Sequence, residues 1–145
     1  MPSDAHKRAN QGQGILYSVT GGRGAQGTLF RVNKDGTGYE IIHAFSSLGG
    51  EGRNPYAGVV EGSDGNLYGT TLNGGADLRG LIYRIDVDGS DYQILFSFPN
   101  KGLAGRGPYA GLILEGDDVF YGTTTGEGAG GAGAVFCLRL KTTGK

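Results

Sequence analysis

The sequence predicts an all-β protein built from β-propeller blades, each a four-stranded antiparallel meander. The first observation is an internal repeat: PYAG at 55–58 returns at 108–111, and YGTT at 68–71 returns at 121–124, both 53 positions later. The second is that 31 of the 145 residues are glycine, without a three-residue period, between segments rich in Val, Ile, Leu, Tyr and Phe. Periods of roughly 40–50 residues made of short strands are typical of propellers. Glycines placed in this way indicate turns and close backbone approaches.

The strands fall into three copies of about 53 residues. The middle copy, 55–107, is a complete blade with strands a, b, c and d, whereas the copy at 14–54 has only b, c and d and the copy at 108–145 has only a, b and c. Residues 1–13 are polar without alternation and are predicted to form a flexible arm. The predicted strands lie at 15–20, 27–33 and 39–45, then at 58–61, 66–71, 81–86 and 92–98, and finally at 111–116, 119–124 and 134–140.

Three blades are too few to close a propeller ring, which typically holds 4 to 8 blades. An open row of blades would expose strand edges and apolar faces, which invite further pairing. Two-fold symmetric pairs are the commonest homo-oligomers, so the sequence predicts a homodimer with six blades. A piece of a longer protein and a β-trefoil, which also uses three four-stranded repeats but needs no partner, are the alternatives.

The connections between predicted strands are of two kinds. Those from a to b and from c to d are short turns such as Asp35-Gly36 and Asp88-Gly89, a pairing that suits tight hairpins. Those from b to c and from d to a are long and glycine-rich. In a meander both long sets emerge at one end, so one face of the molecule consists of adaptable loops on a rigid scaffold, as binding sites often do. The long connections occupy 21–27, 46–54, 72–80, 99–107 and 125–133.

Composition narrows the choice of partners. With 13 basic and 14 acidic residues the net charge is -1, and no basic stripe is present, so neither nucleic acid nor a membrane surface is an expected partner. One cysteine and two histidines exclude an internal disulfide and zinc-finger spacing, and no metal or cofactor is predicted. The first residues contain no apolar segment of the kind found in secretory leaders.

The best-placed candidate ligand contacts are two equivalent pairs. Arg53 with Tyr56, and Arg106 with Tyr109, lie where a long d-to-a loop enters strand a. An arginine beside an aromatic ring can hold a sugar, a carboxylate or another small anion. The competing interpretation is structural: the Pro-Tyr segment joins each blade to the next, while the arginine satisfies loop carbonyls.

Charged side chains on the b-to-c loops form a second candidate set. Asp77 and Arg79 on one loop, Arg23 on another and Glu127 on the third could face a common cleft and supply acid-base chemistry. Solvated loop charges are the alternative. His43 alternates with apolar residues and is predicted to pack rather than to act as a base. The sequence contains no nucleophile elbow, zinc-protease motif or phosphate-binding loop.

The repeats resemble a known family. The segments GTLFRVNKDGTGY at 27–39 and SDGNLYGTT at 63–71, together with the two PYAG segments, resemble the glycine-rich tandem repeats called GloVer repeats. This resemblance implies a propeller-like repeat protein of the kind found on the surface of bacteria or exported by them. It implies no catalytic residues.

Three functions are compatible with the sequence. The first is a non-enzymatic propeller module that binds a glycan or a protein through its long-loop face, and the second is an architectural or engineered repeat that only self-assembles. The third is a hydrolase or lyase with its site in the central channel. The lack of a catalytic motif favours the first two.

Overall fold

A computed structural model describes residues 14–22, 25–126 and 129–141. In these residues the chain forms eleven β-strands and a short 3-10 turn, with no α-helix, and the strands build three antiparallel sheets, none of them closed. The all-β prediction is therefore confirmed. The strands are β1 (Ile15–Gly22), β2 (Ala25–Asn33), β3 (Glu40–Ala44), β4 (Val60–Glu61), β5 (Leu67–Thr71), β6 (Leu81–Ile85), β7 (Gln93–Ser97), β8 (Arg106–Pro108), β9 (Ile113–Glu115), β10 (Val119–Gly126) and β11 (Ala134–Arg139).

Each sheet follows the order of the chain. The first sheet is β1-β2-β3, the second is β4-β5-β6-β7, and in the third β10 pairs with both β9 and β11. These pairings match the predicted order of strands. The strand β8 was not predicted: it pairs with the last residues of β10, which runs two residues beyond the predicted strand end. The predicted arm at 1–13 lies outside the described residues.

Two hairpin turns have the same construction in successive copies. The Asp35 carboxylate accepts hydrogen bonds from the backbone N–H and the hydroxyl of Thr37, at 2.9 and 2.6 Å. The Asp88 carboxylate does the same with Ser90, at 2.8 and 2.5 Å. In both turns the aspartate side chain thus stabilises the turn by hydrogen bonds to the residue two positions later, as expected for short polar side chains in turns.

The second sheet is buried on both faces. Neighbouring residues of a strand point to opposite sides of a sheet, and every residue of β5 is buried. One face packs against the first sheet and the other against the third, so that the second sheet lies between them. The first contact contains the buried residues Leu29, Phe45, Leu67, Leu81, Tyr83, Ile85 and Val87. The second contains Tyr68, Ile82, Phe98, Leu112 and Phe120.

The two contacts between sheets repeat the same geometry. In the first, the rings of Phe45 and Tyr83 lie 5.3 Å apart at 64°. In the second, the rings of Phe98 and Phe136, which are the residues 53 positions later, lie 5.2 Å apart at 64°. Edge-to-face rings at this distance are a favourable arrangement. The three sheets therefore stack as successive copies of one interface.

The glycine of the YGTT segment makes room for an aromatic ring. Gly69 lies opposite Tyr83 on the neighbouring strand, and a Cβ at Gly69 would lie 2.5 Å from the Tyr83 hydroxyl. The equivalent pair in the third sheet is Gly122 and Phe136, where a Cβ would overlap the ring. Each ring lies across its glycine, which explains the repeated glycine by packing.

We expect the contact between the second and third sheets to carry a large share of the stability. Phe98 is fully buried in it, so Phe98→Ala should lower the free energy of unfolding by about 3–5 kcal/mol. Phe96, two residues earlier in β7, is partly exposed, and Phe96→Ala should cost about 1 kcal/mol. Urea denaturation of both variants measures the difference, and equal losses would contradict the stacked arrangement.

Candidate ligand-binding face

The two candidate arginines occupy equivalent positions at the end where the long loops emerge. Arg53 forms an isolated antiparallel bridge with Asn73, just after β5. Arg106 pairs with Gly126 at the end of β10, and both partners lie 53 positions further along the chain. Each d-to-a loop is therefore fixed by backbone hydrogen bonds to the sheet that it enters, and each places its arginine at the same point of that sheet.

The two candidate tyrosines stack on one another. The rings of Tyr56 and Tyr109 are nearly parallel, with 8° between their planes and 4.8 Å between their centroids. Their segments run side by side, since a Cβ at Gly111 would lie 3.7 Å from the Cβ of Ala57. The side chains stay 43% and 51% exposed. The fold thus brings together two residues that the sequence places far apart, and it leaves them accessible.

The prolines before these tyrosines have a structural role. A Cβ at Gly27 would lie 2.5 Å from the Pro55 ring, and one at Gly80 would lie 2.7 Å from the Pro108 ring. Both glycines have positive φ, 97° and 98°. Each proline therefore packs on a glycine of the preceding copy, so the structural interpretation holds for the prolines, whereas the neighbouring tyrosines lie at the surface.

Asp77 and Arg79 bind the same asparagine of a neighbouring loop. The backbone N–H of Asn100 donates to Asp77 Oδ2 at 2.9 Å, and Arg79 Nε donates to Asn100 Oδ1 at 2.8 Å. Both charged side chains thus tie the b-to-c loop of the middle copy to the following d-to-a loop. Arg23 and Glu127, predicted to share a cleft with them, lie outside the described residues.

A cleft of about 370 Å³ lies between the loop after β5 and strands β8 and β10. Two of the candidate residues, Arg79 and Arg106, line it, and its described lining contains no carboxylate. The Gly107 N–H donates to the Arg79 carbonyl at 2.8 Å, which holds the two arginine-bearing segments together. Because both guanidinium groups carry a positive charge, the described lining of this cleft is cationic. Its lining is Leu72, Asn73, Leu78, Arg79, Arg106, Gly107, Thr125 and Gly126.

The polar residues Asn73 and Thr125 of this cleft were not predicted from the sequence. Thr125 Oγ1 donates to the Gly107 carbonyl at 3.0 Å, and Asn73 forms the bridge with Arg53. The alignment of the copies gave no residue-type signal for them, since Asn73 corresponds to a glycine and Thr125 to Leu72. Asn73 and Gly126 are equivalent positions, and each follows a YGTT segment by the same number of residues.

Comparison of the sequence with known protein families shows which family the chain belongs to. The sequence pattern of the Gloeobacter/Verrucomicrobia repeat matches residues 3–144. The chain belongs to the Gloeobacter/Verrucomicrobia repeat family. The resemblance identified from the repeated segments is thereby confirmed. The comparison with curated proteins gives no match.

A second pocket of this Gloeobacter/Verrucomicrobia repeat protein lies at the opposite end, where the short turns emerge. It has a volume of about 710 Å³ and lies between the second and third sheets. Three carboxylates and two cationic groups belong to its described lining. These five residues are Asp64, Arg84, Asp117, Asp118 and Lys141.

The described residues contain no helix that is long and apolar enough to cross a bilayer.

Asp64 stabilises the turn between β4 and β5, which lines this pocket. Its carboxylate accepts hydrogen bonds from Asn66 Nδ2 at 2.7 Å and from the Tyr68 hydroxyl at 2.8 Å. Burial works against the charged form, but these hydrogen bonds outweigh it and hold the pKa of Asp64 below its ordinary value of 3.8. Burial, followed by the hydrogen bond to Asp64 and its charge, raises the pKa of the Tyr68 hydroxyl well above its usual range.

His43 packs at the first contact between sheets, as predicted. Its ring stacks on Tyr92, with 4.5 Å between centroids and 3° between planes, and meets Phe45 edge-on. Its Nε2 lies 2.5 Å from the Glu51 carboxylate, close enough for an ion pair when the ring is protonated, although the contact lacks hydrogen-bond geometry. The ring is thus held by aromatic neighbours on two sides.

We expect Asp64→Asn to reduce stability at neutral pH and the reduction to shrink in acid. A depressed pKa in the folded state stabilises it above the unfolded pKa of about 3.9, and this stabilisation is lost as the pH falls through the lower, folded value. The free energy of unfolding should therefore differ between wild type and variant at pH 7, and the two should converge only once the pH has fallen below the lowered, folded pKa of Asp64.

Asp118→Asn is the matched control, since Asp118 lines the same pocket. Its carboxylate has no hydrogen bond in the described part of the chain. Urea titrations between pH 2.5 and 7 measure both variants. A pH-independent loss for Asp64→Asn, or an equal loss for Asp118→Asn, would show that the Asp64 hydrogen bonds are not the cause.

Proposed function

We propose that this protein is a non-enzymatic β-propeller repeat module that binds a glycan through its long-loop face, with a protein as the alternative partner for the same surface. The propeller arrangement is supported by the three stacked meanders and by the repeated contact between them. A β-trefoil has less support. In the described residues no strand of one sheet pairs with a strand of another.

The observation that carries this proposal is the exposed stack of Tyr56 on Tyr109. Tyrosine offers a large apolar ring and a polar hydroxyl, and few rotatable bonds are frozen when it binds. Since the two rings support each other, they form a preorganised platform. A sugar ring, which is apolar on its C–H faces and polar at its edges, suits such a platform.

The cationic cleft indicates which glycans to expect. Guanidinium groups match carboxylates in shape and charge and can form paired hydrogen bonds with them. Arg79 and Arg106 line one cleft whose volume of about 370 Å³ lies within the usual range for small-molecule sites. We therefore expect acidic sugars to be preferred over neutral ones.

The alternatives have weaker support. An architectural or engineered repeat is favoured by the packing of Pro55 and Pro108 on glycines, which accounts for the prolines of each PYAG segment but not for the exposure of the tyrosines. A hydrolase or lyase would have used Asp77 and Glu127. Asp77 instead receives the Asn100 N–H, and Glu127 lies outside the described residues.

We expect replacement of both tyrosines to abolish glycan binding. The protein is applied to an array of neutral and acidic glycans, and the double variant Tyr56→Ala with Tyr109→Ala should lose the signal. The double variant Tyr56→Phe with Tyr109→Phe keeps both rings and should retain most of it. Full binding by the alanine variant would exclude this surface, and a wild-type protein that binds no glycan would leave the protein partner or the architectural role.

We expect Arg106 to set the preference for charge. Arg106→Gln should weaken binding to acidic glycans about tenfold, the loss of roughly one charged hydrogen bond, and should leave neutral glycans almost unaffected. Arg31→Gln is the control, because Arg31 forms an ion pair with Glu40 and does not line the cleft. Isothermal titration with the best acidic and neutral glycans of the array measures the ratio. An unchanged ratio would remove Arg106 from the site.

A further inference from the structure

The third sheet has an apolar face that no described residue covers. Val135 is 77% exposed and Tyr121 is 36% exposed, and Ile113 lies beside Tyr121 on the adjacent strand. Positions 53 residues earlier are Ile82 and Tyr68, which are 1% and 0% exposed. The same face of the preceding sheet is therefore buried against its neighbour.

The first sheet has a complementary apolar face, which is likewise not covered by any described residue. Phe30 and Tyr39 form a ring pair with centroids 5.3 Å apart, and Tyr39 is exposed. The equivalent pair in the second sheet is Tyr83 and Tyr92, 5.5 Å apart, and it packs against Phe45 of the first sheet. The uncovered pair thus has the arrangement of a buried one.

These two faces are the two halves of one interface. The outer face of the third sheet is equivalent to the face of the second sheet that packs on the third. The outer face of the first sheet is equivalent to the face of the second sheet that packs on the first. The three described sheets cannot bring these two faces together by themselves, because rings of blades begin at about four. A second copy supplies both missing halves at once.

We propose that two copies of this chain close into a ring, with the outer face of the third sheet of each copy packed on the outer face of the first sheet of the other. Two such contacts related by a two-fold axis close the assembly, whereas a single contact of this type without closure would propagate into filaments. The six resulting sheets lie within the usual range for propellers. This inference concerns assembly and does not depend on a ligand.

The third-sheet face lacks one charge that the equivalent faces carry, although Glu115 and Arg139 lie at its edge. Cys137 stands where the earlier copies have Arg31 and Arg84, each of which forms an ion pair within its own sheet. An uncharged residue at this position lowers the cost of removing water from the face. Cys137 is exposed in the single chain, and it is the only cysteine in the sequence, so its thiol reports whether this face is covered.

The first test is the molar mass of the wild-type protein in solution, measured by light scattering over a range of concentrations. The expected value is ~30 kDa, twice the 15.0 kDa of one chain. Val135→Asp and Tyr39→Asp should each reduce it to the mass of one chain. Leu103→Asp is the control, because Leu103 is equally exposed but belongs to a long loop, and it should leave the pair intact.

Mixing the two disrupted variants distinguishes the proposed pairing from one in which like faces meet. A Val135→Asp copy keeps its first-sheet face and a Tyr39→Asp copy keeps its third-sheet face, so the mixture should form pairs through one intact contact. If like faces met, the mixture would regain nothing. Such a result would overturn the proposal, as would a wild-type monomer or an open-ended series of larger species.

Thiol labelling keeps the test valid if a variant folds poorly. Wild-type Cys137 should react slowly at high protein concentration and faster on dilution, because dissociation uncovers the third-sheet face. In Leu103→Asp the same dependence should persist. Fast labelling that does not slow at high wild-type concentration would show that this face is free, and the proposal would be wrong.

Discussion

The structure depends on a sheet that is buried from both sides. Because side chains alternate along a strand, a sheet with one covered face needs apolar residues only at every second position. The second sheet needs them at consecutive positions, and β5 and β6 meet this demand with Leu67, Tyr68, Leu81, Ile82 and Tyr83, all of them buried. The outer sheets pack against it and are positioned by it.

The long-loop face follows from this stacking. Successive sheets are held in one relative orientation by the Phe45–Tyr83 and Phe98–Phe136 contacts. Equivalent residues of neighbouring copies are therefore brought side by side, and Tyr56 and Tyr109 stack for that reason. The tyrosine platform is in this sense a product of the repeat, since one copy alone would present a single ring.

Much of the fold could be predicted from the sequence, because the repeat and its turns are local signals. Paired segments such as YGTT and the Asp-Gly turns fix where strands begin and end. The strand β8 escaped prediction because Arg106–Pro108 shows no alternation and contains a proline, so that only the extended end of β10 makes it a strand. At the site, the tyrosine pair could be predicted from equivalence. The binding of Asp77 to Asn100 could not, since it joins two loops 23 residues apart and no local pattern encodes it.

The burial of the middle sheet also affects the order in which the three sheets unfold under a pulling force. The described chain enters through the first sheet and leaves through the third, so a pulling force applied at its two ends reaches the half-covered sheets before the fully covered one. Antiparallel hairpins pulled from one end open one hydrogen bond at a time, which offers little resistance at the outer sheets. The centre is then the last part to yield, and tension along the chain peels the molecule from outside inward.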